Sequence, residues 1–192
     1  MSHHSCRDGN QHVVAQHPVH DPGDELVEEV DEDDRVLRIV TRREMRARRL
    51  RHRAVFVAVV HPSGRLLVHR RSPTKDLWPG WWDIAVGGVV GVGEPYQVAA
   101  VRELAEEVGL DIVRAGIRIE PLEGGRRVTY EDDDVALVGR LFQVVAAGPF
   151  DFPDGEVVEA RLVDEAELRQ MLREVPFLPD SLTLLRPLLD LP

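Results

Sequence analysis

The chain has 192 residues and a mass of 21.6 kDa, which is enough for one domain with a sizeable core and too little for two full domains. No apolar run approaches the roughly 20 residues that a membrane helix needs. The formal charge of 24 − 34 = −10 argues against non-specific binding to nucleic acid. The single cysteine, Cys6, excludes an internal disulfide, and no secretory signal follows Met1, so we expect a protein of the reducing cytoplasm.

The N-terminal residues differ in composition from the rest of the chain. Residues 1–22 hold five of the eight histidines among Ser, Asp, Gly and Pro, and they have neither helical nor strand periodicity. We therefore predict a disordered arm over 1–22 and one domain over 23–192. The domain begins with two apolar-polar runs, at 25–30 and 36–40, which predict a β-hairpin, and Thr41 is a candidate N-cap for a helix to about Leu50.

The remaining elements alternate between strands and helices. Residues 54–60 are continuously apolar, which is typical of a central strand covered on both faces, and 65–69 predict a returning strand. Further strands are predicted at 135–146 and 157–163, and further helices at 96–108, 164–174 and 181–189. Strands on either side of helices, without a repeat or a linker, predict a single α/β sandwich.

The helix predicted over Tyr96–Val108 carries the chemistry of the sequence. Glu103, Glu106 and Glu107 are spaced i, i+3 and i+4, so their Cβ atoms lie within about 5 to 6 Å of each other on one face. Three adjacent carboxylates repel, and hard divalent cations such as Mg²⁺ and Mn²⁺ prefer clustered carboxylate oxygens. The spacing indicates a metal site, and the alternative is a solvated acidic face.

The residues around these glutamates decide between the two interpretations. The order is Gly88, five residues, Glu94, seven residues, Arg102-Glu103-Leu104, one residue, Glu106-Glu107, one residue and Gly109-Leu110. This pattern resembles the Nudix box, the signature of the Nudix hydrolase superfamily, at each of its nine specified positions. The resemblance implies a Nudix-type α/β/α sandwich with a mixed central sheet, and hydrolysis of a diphosphate linkage.

The resemblance also assigns roles to residues. It implies that the Glu103, Glu106 and Glu107 side chains and the Gly87 carbonyl hold Mg²⁺ or Mn²⁺, and that Arg102 orients a carboxylate. We place Gly87 in a loop, where glycine bends sharply. Glu94 is either structural or a ligand. The general base that takes the proton of the attacking water is left open among three glutamates, Glu103, Glu107 and the distal Glu156.

Residues 66–80, followed by Trp81 and Trp82, resemble the corresponding segment of isopentenyl-diphosphate isomerase, which shares the Nudix fold. The resemblance implies that Arg71 and Lys75 bind the diphosphate of a small-molecule substrate, and the alternative is that both are solvated ends of a strand. Trp82 is a candidate for stacking on a base, and the alternative is that the tryptophans pack beneath the sheet.

Isomerase activity itself is disfavoured. That reaction needs a catalytic cysteine just after the tryptophan segment, and 82–89 contains none. His52 matches one metal-binding histidine of the isomerase, but Met45 and Val89 replace two others, so we interpret His52 as a structural residue at a helix end. An isomerase-like Nudix hydrolase acting on a nucleoside diphosphate derivative is the prediction. The alternatives are the isomerase and a non-catalytic nucleotide-binding regulator.

Two segments are interpreted without a catalytic role. The run Thr41–Arg53 contains seven arginines, and we predict a solvated helix face paired with the acidic patch from Glu28 to Asp34. The segment from Pro121 to Asp134 is expected to be a selectivity loop. The sequence carries no signal of oligomeric state.

Overall fold

The computed structural model of the protein describes residues 21–153 and 155–189. Residues 1–20 of the predicted arm lie outside the described residues. Its last two residues, Asp21 and Pro22, are ordered, because Asp21 caps a short 3-10 helix over Pro22–Asp24 by accepting a hydrogen bond from Gly23 N at 2.8 Å. None of the helices in the described part of the chain has the length and apolar character that a membrane crossing requires.

The N-terminal hairpin forms as predicted. Strands β1 (Leu26–Val30) and β2 (Val36–Thr41) are antiparallel, and helix α1 (Arg42–Ala47) follows at once. Thr41 caps this helix, since its Oγ1 accepts a hydrogen bond from Glu44 N at 3.1 Å. The helix is shorter than the predicted length, which extended to Leu50.

Strand β3 (His52–Val60) is the centre of the sheet, as its unbroken apolar sequence predicts. One edge of β3 pairs in parallel along its whole length with β9, while its other neighbours are antiparallel, so the sheet is mixed. The other strands are β4 (Leu66–Arg71), β5 (Trp82–Asp83), β6 (Val86–Val89), β7 (Ile119–Pro121), β8 (Val128–Glu131), β9 (Ala136–Val145) and β10 (Val157–Val163).

Helices cover both faces of this sheet, in agreement with the predicted α/β/α sandwich. They are α2 (Tyr96–Val108), α3 (Ile112–Ala115), α4 (Glu165–Glu174) and α5 (Pro179–Leu185). Val55 and Val57 of β3 pack in one core with Leu104 of α2, whereas Phe56 packs in a second core with Leu168 of α4. The alternation of side chains along β3 therefore feeds two separate cores.

Helix α2 has the predicted ends. Pro95 precedes its first turn, and Gly109 ends it in the left-handed conformation at φ +65°. The last predicted helix is wrong at both ends, because α5 occupies 179–185 and not 181–189. Strands β5 to β8 and helix α3 have two to four residues each, too few for a periodic pattern to reveal, and the expected loop from Pro121 to Asp134 contains β8.

The glycines before α2 lie in strand β6, and the prediction of a loop is wrong. A Cβ atom on Gly87 would lie 2.0 Å from Val55 O, and one on Gly88 would lie 2.5 Å from Glu103 Oε1. These residues are glycines because the neighbouring strand and helix approach too closely for a side chain, and not because the backbone bends there.

An ionic clasp joins the N-terminal hairpin to the start of α2. Asp34 accepts hydrogen bonds from Arg53 Nε at 2.6 Å and from Tyr96 Oη at 2.9 Å. Glu28 accepts from Arg53 Nη1 at 2.6 Å and from Gly93 N at 3.2 Å. The hairpin is thus fixed to the central strand and to the helix at the same point.

We expect Leu104→Ala to lower the free energy of unfolding by about 2–5 kcal/mol, because the Leu104 side chain is fully buried between α2 and the sheet. The matched control is Val98→Ala on the same helix, where 53% of the residue is exposed and the expected change is within about 0.5 kcal/mol. Denaturant unfolding of both variants measures the difference, and equal stabilities would contradict the packing described here.

Candidate active site

A cavity of about 310 Å³ opens between α2, β6, α1 and the end of β4. It brings together eight residues that the sequence singled out, from segments up to 85 positions apart: Arg71, Lys75, Gly87, Arg102, Glu103, Glu106, Glu107 and Glu156. One side of the cavity is acidic and the other is basic. Its inner end is lined by apolar side chains and by a further pair of carboxyl groups.

The acidic side is the polar edge of helix α2. Glu107 and Glu103 are only 4% and 8% exposed, while the side chain of Glu106, two residues before the helix end, is 54% exposed. Burial raises the pKa of Glu107 well above its ordinary value, and the nearby charge of Glu103 raises it further. Burial also raises the pKa of Glu103, against the opposing effect of the Arg102 guanidinium.

Arg102 holds the carboxylates of this helix in place. Its guanidinium donates to both oxygens of Glu94 at 3.0 Å, to Glu103 Oε1 at 2.7 Å and to Glu106 Oε2 at 2.9 Å. Glu94 also accepts from Gly91 N at 2.9 Å, and its pKa is lowered chiefly by the hydrogen bonds from Arg102. Glu94 therefore has a structural role in this arrangement, because it anchors the arginine that orients the other two carboxylates.

No three Asp, Glu, His or Cys side chains among residues 21–153 and 155–189 converge into a metal cage. The donor set on α2 nevertheless suits a hard cation. In the described part of the chain, the Glu107 carboxylate has one hydrogen bond, from Gly87 N at a long 3.4 Å, so a buried charge is left largely without donors. Mg²⁺ and Mn²⁺ prefer carboxylate oxygens as ligands. The oxygens of Glu107, which have few hydrogen-bond donors and lie near the buried carboxyl group of Glu103, match this preference.

The basic side faces these glutamates. Arg71 at the end of β4 lines the cavity, and Lys75 in the following loop is hydrogen-bonded to Glu156, which precedes β10. Burial and Glu103 raise the pKa of Glu107, and the charges of Lys75 and Arg71 oppose part of this rise. The structure thus brings the predicted diphosphate-binding pair to the predicted glutamates.

Trp82 is not in the position predicted for a substrate-binding residue. It is 4% exposed in the core, its ring centroid lies 6.4 Å from that of Phe177, and it does not line the cavity. Arg161 covers its other side at 5.0 Å. Trp78 is the tryptophan that lines the cavity. Trp82 instead packs in the core of the protein, which is the alternative stated for the tryptophans above.

His52 is not at a helix end. It is the first residue of β3, it is buried, and it lines the cavity, where its Nδ1 lies 3.1 Å from Leu50 O. Burial lowers the pKa of His52 to about 3, and the charge of Arg46 lowers it further. The ring is therefore a neutral wall of the cavity at physiological pH.

The prediction for the basic run is wrong in part. Only Arg51 and Arg53 reach the acidic patch from Glu28 to Asp34. The exposed members pair elsewhere, for example Arg43 with Asp21 and Asp24. Two members of α1, Arg42 and Arg46, line the cavity instead, because the short helix packs across its mouth.

Two acidic residues that line the inner end of the cavity were not predicted from the sequence. Asp83 and Asp180 are buried, and each uses Oδ1 to accept a backbone hydrogen bond, from Ala85 N at 3.0 Å and from Ser181 N at 2.7 Å. They are about 100 positions apart, and neither lies in a pattern that predicts a site. Burial raises the pKa of Asp180 to about 7, and the charge of Asp83 adds to this effect.

The comparisons with known proteins agree on one family. The NUDIX domain matches residues 50–185. The chain is 37% identical over 166 residues to the uncharacterized Nudix hydrolase PA4841 of Pseudomonas aeruginosa, covering 86% of this chain and 94% of that protein. It is 39% identical over 163 residues to the uncharacterized Nudix hydrolase SCO1686 of Streptomyces coelicolor, covering 83% and 86%. The crystal structure of DR0079 from Deinococcus radiodurans superposes with a TM-score of 0.72 at 24% identity, over 85% of this chain and 99% of that one.

We expect Asp180→Asn to change how stability depends on pH. The unfolded chain ionises Asp180 near pH 4 and the folded protein only near pH 7, so this group makes the folded state less stable as pH rises between these values. The asparagine variant lacks this loss and gains up to a few kcal/mol relative to the parent at about pH 8, compared with about pH 4. Denaturant unfolding at several pH values measures the difference, and parallel stability curves for the two proteins would refute the assignment.

Proposed function

Because the chain belongs to the Nudix hydrolase family, whose members act on pyrophosphate bonds, we propose that it hydrolyses the diphosphate linkage of a nucleoside diphosphate derivative with Mg²⁺ or Mn²⁺. One observation carries this proposal. The buried carboxyl groups of Glu103 and Glu107 line a single cavity together with the cations of Arg71 and Lys75. Carboxylates for a cation and cations for phosphate oxygens are the two groups that diphosphate hydrolysis needs.

The metal site would consist of the Glu103, Glu106 and Glu107 side chains with the Gly87 carbonyl. A bound divalent cation supplies charge neutralisation at phosphate oxygens and lowers the pKa of a bound water. The role of Arg102 is to orient Glu103 and Glu106, which it already holds by hydrogen bonds of 2.7 and 2.9 Å. Burial of Glu103 and Glu107 supports the proposal, because desolvated anions gain most from a cation.

Arg71 and Lys75 would bind the diphosphate, in a protein whose net charge of −10 otherwise repels it. Glu156, held by its hydrogen bond to Lys75, lines the same cavity as Glu103 and Glu107, and the proton acceptor is one of these three. Trp78 and the apolar side chains at the inner end, such as Phe56 and Leu178, offer a surface for the organic part of the substrate.

The segment shared with isopentenyl-diphosphate isomerase is, in this proposal, a shared means of binding diphosphate and not a sign of isomerase activity. Met45 and Val89 are buried apolar residues at two positions where that family has metal-binding histidines. We further propose a small-molecule substrate and a cytoplasmic location.

We expect Glu107→Gln and Glu106→Gln to lower kcat for diphosphate hydrolysis by about 100-fold or more, because each removes a negative charge from the metal site. The matched control is Glu174→Gln, an exposed glutamate of α4 outside the cavity, which keeps full activity. Formation of nucleoside monophosphate from a panel of nucleoside diphosphates, nucleotide sugars and dinucleotides is the readout. Wild-type rates in both box variants would discard the mechanism.

Chelation is expected to abolish the activity, since the divalent cation supplies the bound water of lowered pKa and the charge neutralisation that the chemical step needs. The measurement is formation of nucleoside monophosphate in EDTA, followed by addition of Mg²⁺ or Mn²⁺ in excess, which restores it. Turnover that persists in EDTA would show that the reaction needs no divalent cation.

Arg71→Gln is expected to raise KM roughly tenfold or more, because it removes charge-assisted hydrogen bonds to phosphate. Its neighbour Arg70 is the control: its side chain is 45% exposed and ion-paired with Glu159. Steady-state kinetics of Arg70→Gln and Arg71→Gln separate the two, and equal KM values would remove Arg71 from the site.

A further inference from the structure

The basic side of the cavity extends beyond the residues assigned so far. Arg42 and Arg46 of α1 line it together with Arg71. Helix α1 ends at Ala47, before residue 50, where the match to the NUDIX domain begins. A segment outside the matched domain therefore supplies part of the wall of its cavity.

Arg46 differs from the other arginines of this helix in how it is paired. Arg43 donates hydrogen bonds of 2.9 and 3.0 Å to Asp21 and Asp24, and Arg42 donates one of 3.0 Å to Glu25. Arg46 has only 21% of its side chain exposed, and its one ion-pair partner, the half-exposed Asp76, lies 3.2 Å from Nε. This contact is an ion pair without hydrogen-bond geometry, so the buried Nε atom has no hydrogen-bond partner among the described residues.

Arg71, the last residue of β4, also has a buried Nε atom without a hydrogen-bond partner within the described part of the chain. The two arginines line the same cavity. Burial lowers the pKa of Arg46, the charge of Asp76 opposes this effect, and the charges of Arg42 and Arg71 add to it. Buried donors without acceptors and adjacent like charges both cost free energy, and a bound anion would offset both costs.

We infer that Arg46 and Arg71 form an anion subsite that binds a phosphate group of the substrate, with Arg46 supplied by the N-terminal segment. This inference rests on the proposed function, and it adds a recognition residue that the domain match does not contain. The planar guanidinium presents several N–H donors in a fixed fork that matches the oxygens of a phosphate. Arg46 would thus act in binding and not in the chemical step.

The test compares Arg46→Gln with Arg48→Gln in the full chain. Arg48 follows α1, is 58% exposed and is hydrogen-bonded to Glu44 at 2.7 Å, so it is a matched control outside the cavity. Inorganic pyrophosphate in EDTA is the probe, and calorimetry measures its Kd without turnover. We expect Arg46→Gln to weaken binding about tenfold or more, and Arg48→Gln to leave it unchanged.

Arg46→Lys provides a second variant. It keeps the positive charge and the ion pair with Asp76, but it replaces the planar guanidinium and its several N–H donors with an ammonium group. It is expected to bind pyrophosphate more weakly than the wild type and more tightly than Arg46→Gln. Equal Kd values for the wild type and both Arg46 variants would overturn the subsite.

Hydrolysis assays distinguish a failure of the anion subsite from a failure of the proposed function. Arg46→Gln is expected to raise KM with kcat retained, as for a residue that binds without entering the chemistry. Turnover by the wild type with no effect of Arg46 on KM or on pyrophosphate binding would refute the subsite alone. Failure of the wild type to hydrolyse any diphosphate, with pyrophosphate binding still dependent on Arg46, would refute the proposed function alone.

Discussion

Helix α2 packs so closely on strand β6 that a Cβ atom at Gly88 would lie 2.5 Å from Glu103 Oε1, and one at Gly87 would lie 2.0 Å from the backbone of β3. This contact takes the carboxylates of Glu103 and Glu107 out of water. Burying two like charges on one helix is costly, and Arg102 offsets part of the cost for Glu103. Glu107 lacks such a partner in the part of the chain that the structure describes, and the charges of Glu103, Lys75, Arg71 and Glu156 all act on this buried carboxyl group.

The cavity places opposite charges on facing walls within a strongly acidic protein. The acidic wall comes from one helix, whereas the basic wall is assembled from the end of β4, the loop after it and α1. Such a division suits a substrate that is itself an anion and must approach an acidic helix. Lys75 and Glu156 form a direct bridge between the loop and the residue before β10, so the loop of the basic wall is fixed to the strand that pairs with β4.

Local patterns in the sequence predict the parts of the fold that depend on local interactions. The apolar spacing of α2 gives its bounds and its acidic face, and the resemblance to the Nudix box points to Gly87 and Arg102, which both line the cavity. The strand conformation at Gly87 could not be predicted, because it depends on how closely β3 and α2 approach it. The cavity positions of Arg46 and Asp180 could not be predicted either, since each results from long-range packing that a charge run or a lone aspartate does not encode.

The ionic clasp, in which Asp34 binds both Arg53 and Tyr96, ties the N-terminal hairpin to the start of the acidic helix. Excision of the matched domain, residues 50–185, would remove Asp34. Arg53 Nε and Tyr96 Oη would then lose the carboxylate to which they donate. Grafting residues 50–185 onto another scaffold would likewise transfer the acidic helix without the arginines of α1. The N-terminal hairpin and α1 therefore complete the ionic clasp and one wall of the cavity, and the matched domain alone lacks both.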